Sequence, residues 1–186
     1  MAPVTAITRC AVALATQPRM AAHHPEAVVL WLDAHGDLNR PPDTQTGYLG
    51  GMALSAPLGW WNTGLDGPAI AGAVLVGARD LDPAEVEHVR AGRVALVTPG
   101  PDLGARVADA VAGRPVYFHL DCDVLEPGIV RTDYAVPNGL SLPDLHECAT
   151  AVAASSLVGV EIGEYEGPAS AGLDELLDAL APVLDF

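Results

Sequence analysis

The segment Val29-Leu30-Trp31-Leu32-Asp33-Ala34-His35-Gly36-Asp37-Leu38-Asn39 constrains the fold most, because an unbroken apolar run stops abruptly at Asp-x-His-x-Asp. A short apolar run bounded by turn residues reads as a strand buried on both faces, so helices must cover it on either side. The segment Val116-Tyr117-Phe118-His119-Leu120-Asp121-Cys122-Asp123 repeats the pattern. Alternate side chains of extended backbone share a face, so Asp33, His35 and Asp37 are expected to project together, as are Asp121 and Asp123. Five ligand-type groups, mostly oxygen with one imidazole, suit a pair of hard divalent ions such as Mn²⁺ better than zinc. The competing reading is that these carboxylates cap the helices that follow. Two clusters at strand ends weigh toward metal.

Strand and helix patterns alternate along the rest of the chain. Strands are expected near residues 4–7, 28–32, 73–76, 94–97, 116–120 and 157–162, and helices near 11–22, 83–90, 101–112, 143–154 and 173–180. Pro83, Pro101 and Pro143 are each read as opening a helix, where a missing N–H costs nothing, with Asp82 and Ser141 or Leu142 near the caps. Such alternation implies a single α/β domain over residues 1–186, a three-layer α-β-α sandwich around a mainly parallel sheet, with ligands gathering at the carboxyl ends of the strands. Residues 39–67, rich in Pro, Gly and Thr, read as a long functional loop over that end.

Composition narrows the functional classes. The chain is 50% hydrophobic, ample for a buried sheet, yet no apolar stretch approaches the roughly 20 residues of a membrane span. The net charge is −15 and all nine basic residues are Arg, which leaves no basic surface for nucleic acid. No export signal is visible, so a cytoplasmic protein with no membrane partner is expected. Cys10, Cys122 and Cys148 have no C-x-x-C spacing and indicate neither a disulfide framework nor a zinc knuckle.

Asp33-Ala34-His35-Gly36-Asp37-Leu38-Asn39 and His119-Leu120-Asp121-Cys122-Asp123-Val124-Leu125-Glu126-Pro127 resemble the two signature motifs of the ureohydrolases, the arginase and agmatinase family. Gly159-Val160-Glu161-Ile162-Gly163-Glu164 resembles that family's late strand, whose final Glu holds the substrate guanidinium. The likeness runs in order from about Val4 to about Pro168. It implies an arginase-like fold and two divalent metal ions, Mn²⁺ foremost. One ion would be held by Cys10, Asp33, Asp37 and Asp121, the other by Asp33, His35, Asp121 and Asp123. Asp33 and Asp121 would bridge the ions about a shared water whose lowered pKa makes it a nucleophile near neutral pH. Asp123 would stabilise the tetrahedral intermediate and Glu164 would pair with the guanidinium; Glu161 and Glu166 would be supporting or surface charges. Asn39, Thr44 and Thr46 match positions that contact an amino-acid substrate, and Asp82 matches an acid that reads its α-amino group. Asp82 can equally cap the helix that Pro83 opens. A small guanidino substrate completes what the resemblance implies, and a homo-oligomer is expected because an association would cover the sheet edge that a short N-terminus leaves exposed.

Two positions depart from the family pattern. Cys10, in Thr8-Arg9-Cys10, stands where a metal-ligating His is expected, and Gly50 stands where arginases place a His that shuttles protons or contacts substrate. Cys10 reads either as a soft ligand, as in members acting on N-hydroxylated arginine, or as a small buried residue in a decayed site. The family also carries sheet edge strands before this point, so the chain reads as truncated at its N-terminus. Hydrolysis of arginine or N-hydroxy-arginine to urea or a urea analogue is the leading expectation. A non-catalytic subunit is the alternative, and a metal phosphohydrolase is weak because no Gly-rich cradle precedes a Lys or Ser. His119 is expected to face the core or support the site, and Trp60 and Trp61 to pack.

Overall fold

The computed structural model describes residues 2–168 and 172–184. Six strands form one fully parallel sheet: β1 (Val4–Ala6), β2 (Val28–Leu32), β3 (Ala73–Val76), β4 (Ala95–Val97), β5 (Val116–Asp121) and β6 (Leu157–Gly163). Their order is β1-β6-β5-β2-β3-β4, which leaves β1 and β4 at the edges. After β2 the chain builds outward through β3 and β4, then returns to lay β5 on the other side of β2. The two motif-bearing strands are therefore neighbours at the point where the winding reverses, the usual place for a site in an open parallel sheet.

Helices cover both faces. α1 (Ala13–His23) and α2 (Pro83–Arg90) lie on one side; α3 (Leu103–Val111), α4 (Leu142–Ala153) and α5 (Leu173–Leu184) lie on the other. Strand periodicity divides the core between the faces. Val28, Leu30, Leu32, Phe118 and Leu120 pack with α3, α4 and α5, while Val29, Trp31, Leu75 and Tyr117 face α1. Cys148 and Cys122 belong to the first of these cores, as small apolar residues. A β-bulge where Val116 pairs with Leu157 and Tyr117 with Gly159 skips Val158 and resets the alternation of β6. That shift puts Glu161 directly beside His119.

The expected strands and helices all form, with ends moved by a few residues. Ser141 caps α4 through its hydroxyl, and Pro83 sits at the start of α2 behind Asp82. Pro101 does not open α3, which begins at Leu103 behind Asp102 in a left-handed conformation. The chain needs a tight reversal there before it can enter the helix. Gly77, at φ +81°, ends β3 where a Cβ would come within 2.6 Å of Val124 Cγ2, so only glycine lets the second motif's turn pack that closely.

Phe118 is fully buried in the central strand, so Phe118→Ala is expected to cost about 3–5 kcal/mol in denaturant unfolding. Leu65→Ala, on a half-exposed loop residue, should stay within about 0.5 kcal/mol by the same measurement.

Candidate metal centre

β2 ends at Leu32, and the next residues leave extended backbone at once. A turn rather than strand alternation therefore gathers the first motif, with Asp37 at φ +51°. Asp33 accepts the Trp31 indole N–H at 2.9 Å and the His35 backbone N–H at 2.7 Å, which fixes its carboxylate at the strand end. A Cβ on Gly36 would come within 2.9 Å of Glu85 Oε1, so glycine allows the turn to lie against α2. Glu85 itself accepts the backbone N–H groups of Leu38 and Asp82, both at 2.8 Å, and so locks the motif loop to the helix. The second motif also leaves its strand: Cys122–Val124 forms a 3₁₀ turn. Asp121 Oδ1 accepts the Asp123 N–H at 2.8 Å while Oδ2 accepts from the Cys10 thiol at 3.0 Å. Capping and site-facing roles coexist in this one residue.

Two triads of ligand-type atoms result, each within 4.8 Å: Cys10, Asp33 and Asp121, and Asp33, His35 and Asp123. His35 Nδ1 lies 3.2 Å from both Asp33 Oδ1 and Asp123 Oδ2. Asp33 belongs to both triads, and four of the five residues are almost fully buried. This donor set fits a pair of divalent cations, because buried carboxylates this close need positive charge among them. Asp37 is buried and lines the same pocket but lies outside both triads, and its carboxylate has no hydrogen bond or ion pair among the described residues.

Electrostatics match the geometry. Burial pushes the Cys10 thiol well up, and the charges of Asp121, Asp33 and Asp37 push it further. Burial and mutual repulsion raise the carboxyls of Asp33, Asp37 and Asp121. Burial alone would lower the His35 pKa, but hydrogen bonds to Asp123 and Asp33 push it up to about 12. Burial likewise opposes ionisation of Asp123, yet its bond to His35 holds that carboxyl below its ordinary range.

The pocket above these groups has a volume of about 260 Å³. Glu164, Asn39, Thr44, Thr46 and Asp82 all line it, as do Tyr48, Gly50 and Tyr134. Asn39 Nδ2 donates to Asp82 Oδ2 at 2.7 Å, whereas its buried Oδ1 accepts nothing among the described residues. Thr44 and Thr46 each turn their hydroxyl back on the loop, accepting from Gly47 N–H and Tyr48 N–H. The Tyr48 ring covers Gly50 so closely that a Cβ there would run into it. The loop over residues 39–67 does reach the pocket, but Trp61 donates to Ser55 and Trp60 packs edge-on against His88, so both indoles pack.

Several residues on which the arrangement rests were given no definite role by sequence. His119 is fully buried, stacks on Trp31 with centroids 3.6 Å apart, and faces Cys10 Sγ through Nε2 at 3.4 Å. Its Nδ1 lies 2.7 Å from Glu161 Oε2, and Glu161 also accepts from Thr16 on α1 at 2.8 Å. Glu161 is therefore no surface charge. Glu166, half-exposed, pairs with Arg9. Arg9 also bonds Glu164 at 2.5 Å and Asp133 at 2.6 Å. The Asp-x-x-Glu spacing from Asp82 was a legible sign of Glu85; nothing in the local sequence marks Arg9 or Glu161.

A parallel α/β domain that gathers carboxylate, imidazole and thiol groups at its strand switch point defines a protein built to hold divalent cations. The model of the Arginase family matches residues 11–173, and the chain belongs to that family. It is 44% identical over 182 residues to the N(omega)-hydroxy-L-arginine amidinohydrolase of Streptomyces lavendulae, covering 95% of this chain and 67% of that one. An arginase of Schizosaccharomyces pombe is 29% identical over 174 residues, covering 82% of this chain and 53% of its own. The chain thus spans between about half and two thirds of the length of these relatives. Among solved structures, arginase from Bacillus subtilis superposes with a TM-score of 0.87 at 21% identity, covering all of this chain and 72% of its own. The proclavaminate amidino hydrolase of Streptomyces clavuligerus gives 0.74 at 22% identity, covering 96% and 60%. Both share this fold.

Acids whose folded pKa is raised contribute stability that is present below their unfolded value and is lost as pH rises through the folded one. Cys10, Asp33, Asp37 and Asp121 are all of this kind. The thermal midpoint of metal-stripped protein should therefore fall as pH rises from the ordinary carboxylate range toward neutrality. The three carboxyls alone drive that fall, since Cys10 adds its share only above the ordinary thiol value, and excess Mn²⁺ should reverse it because a cation replaces the protons. Melting curves across that range, with and without metal, check this; identical profiles would show that these groups share no site.

Proposed function

We propose that this chain is a dinuclear hydrolase of guanidino groups, with Mn²⁺ as the first choice of metal and arginine or N-hydroxy-arginine as substrate. The observation that carries the reading is that Asp33 is common to two ligand triads which open, beside Glu164, into one pocket. Cys10, Asp33, Asp37 and Asp121 would hold one ion, and Asp33, His35, Asp121 and Asp123 the other. When bound, such a pair supplies positive charge and lowers the pKa of a water molecule. The site with Cys10 is the weaker for Mn²⁺, since a thiolate is soft.

This chain's own residues do the rest. Glu164 accepts the guanidine N–H groups and fixes the central carbon over the ligand cluster. Asp123 accepts hydrogen bonds from the N–H groups of the tetrahedral carbon once water has added there, and as the C–N bond breaks the leaving nitrogen takes a proton relayed by water. The pair of Asn39 Oδ1, buried without a donor, and Asp82 suits an ammonium, which favours an amino-acid substrate over a decarboxylated amine. Thr44 and Thr46 border the same end of the pocket. At Gly50 no side chain is present to shuttle a proton, and burial together with the Glu164 charge pushes the Tyr48 hydroxyl up to about 12. Tyr48 therefore keeps its proton. The amine released is the same from a hydroxyguanidine as from arginine, and the less basic hydroxyguanidine is the substrate that this arrangement suits better. The β1 edge, with Val4 half-exposed, suits a homo-oligomeric contact, and a cytoplasmic setting suits the free thiols.

Elemental analysis after loading with Mn²⁺ should find bound metal, and kcat/KM should rank N-hydroxy-arginine above arginine and agmatine. Asp121→Ala should lose metal and at least about 100-fold in activity. Glu164→Gln should keep the metal and raise KM about 10-fold or more, the worth of a hydrogen bond to a charged group. Metal-loaded protein inert toward all three substrates would leave a non-catalytic subunit.

A further inference from the structure

The carboxylate that should receive the substrate's guanidinium already holds one from the chain itself. Arg9 Nη1 lies 2.5 Å from Glu164 Oε2, and the Cys10 backbone N–H donates to Glu164 Oε1 at 3.0 Å. The guanidinium is also held from behind: Nη2 contacts Asp133 Oδ2 at 2.6 Å and Glu166 Oε1 at 3.2 Å. The backbone that carries Arg9 is fixed on both sides, since Ile7 N–H is bonded to Ile162 of β6 and Val12 N–H to the Arg9 carbonyl.

We propose that Arg9 sets substrate specificity, making the pocket selective for a guanidine that enters uncharged, the N-hydroxyguanidine class, over a guanidinium cation. The inference rests on the reading of Glu164 as the guanidine-binding residue. Glu164 is nearly buried and Arg9 pairs with it at 2.5 Å, so a second cation beside it meets a carboxylate already paired and the like charge of Arg9, whereas a neutral guanidine meets no such repulsion. Asp133 and Glu166 offset part of the Arg9 charge, as does its own 38% exposure, so the effect on the two ligands is differential rather than absolute. The Asp133 and Glu166 side chains are 53% and 34% exposed, and both contact the Arg9 nitrogen Nη2, away from the Nη1 contact to Glu164. Hydrogen-bonding capacity is not limiting. A carboxylate offers about four lone-pair sites, and only two are used here, so a neutral guanidine can still donate to Glu164. An electron-withdrawing N-hydroxyl makes the guanidine less basic, which lets it enter as the neutral form; the guanidinium of arginine keeps its proton. Discrimination then comes from a repulsive element built beside an attractive one.

The experiment measures KM and kcat/KM of the Mn²⁺-loaded full chain for arginine and for N-hydroxy-arginine, with rapid-mix binding before turnover as the affinity, comparing wild type with Arg9→Met and Arg9→Lys. Wild type should bind N-hydroxy-arginine about 10-fold or more tightly than arginine. Arg9→Met should shrink that ratio about 10-fold, by a gain in arginine affinity, while Arg9→Lys keeps the charge and should keep the preference. If Arg9→Met does not fold, the uncharged Arg9→Gln against Arg9→Lys gives the same contrast. An unchanged ratio, or equal losses for both ligands, would mean that Arg9 only braces the loops and would overturn the proposal. Failure of the proposal alone would leave wild type hydrolysing N-hydroxy-arginine with a preference indifferent to residue 9. Absence of binding and turnover in every variant would sink the underlying reading of Glu164 too.

Discussion

Like charges held close in a dry interior must be balanced, and much of this molecule is organised around that requirement. Asp33, Asp121 and Asp123 meet at the ends of two adjacent strands, where the layers of helix exclude water. Positive or proton-bearing groups are distributed among them: the His35 imidazole between Asp33 and Asp123, the Cys10 thiol on Asp121, the Trp31 indole on Asp33. The backbone contributes as well, through the N–H groups of Ala34, His35 and Asp123. Arg79 anchors the periphery. Its guanidinium donates to the carbonyls of Gly77, Asp123, Val124, Val136 and Pro137, tying the end of β3 to the second motif and to the segment that carries Asp133 and Tyr134.

How much of this could be read from sequence follows from the range of the interactions. The runs at residues 28–32 and 73–76 became strands at those residues, because an apolar run between turn formers is a local signal. The ligand clusters were legible for the same reason, since each motif lies within a few residues of a strand end. The argument from alternation gave the right residues through the wrong geometry: the first motif has already turned off β2 at Asp33, and the second turns off β5 directly after Asp121. The bulge at Val158 has no local mark, and without it Glu161 looks like a surface residue. Arg9 was invisible for a stricter reason. Its partners lie more than 120 residues away, and a lone Arg in an N-terminal segment reads as solvated until the sheet brings β1 beside β6.

The two departures from the family pattern each have a close neighbour at the pocket. Cys10 adjoins Arg9, and Glu164 touches both, one through its side chain and one through its backbone. Gly50 lies under Tyr48, so the room opened by the smaller residue is already filled by an aromatic ring. Both positions are thus packed against side chains that line the same pocket.

The chain of contacts from Thr16 through Glu161 and His119 to Cys10 links the outer helix α1 to the floor of the site. Thr16 is only partly buried, at a position where drift would ordinarily be tolerated. Replacing its hydroxyl would free one lobe of a buried carboxylate and thereby alter how firmly the imidazole is aimed at the sulfur. Genetic variation on this helix thus has a route to the site that bypasses the pocket wall. A lineage could retune how tightly residue 10 is held without changing any residue that substrate meets.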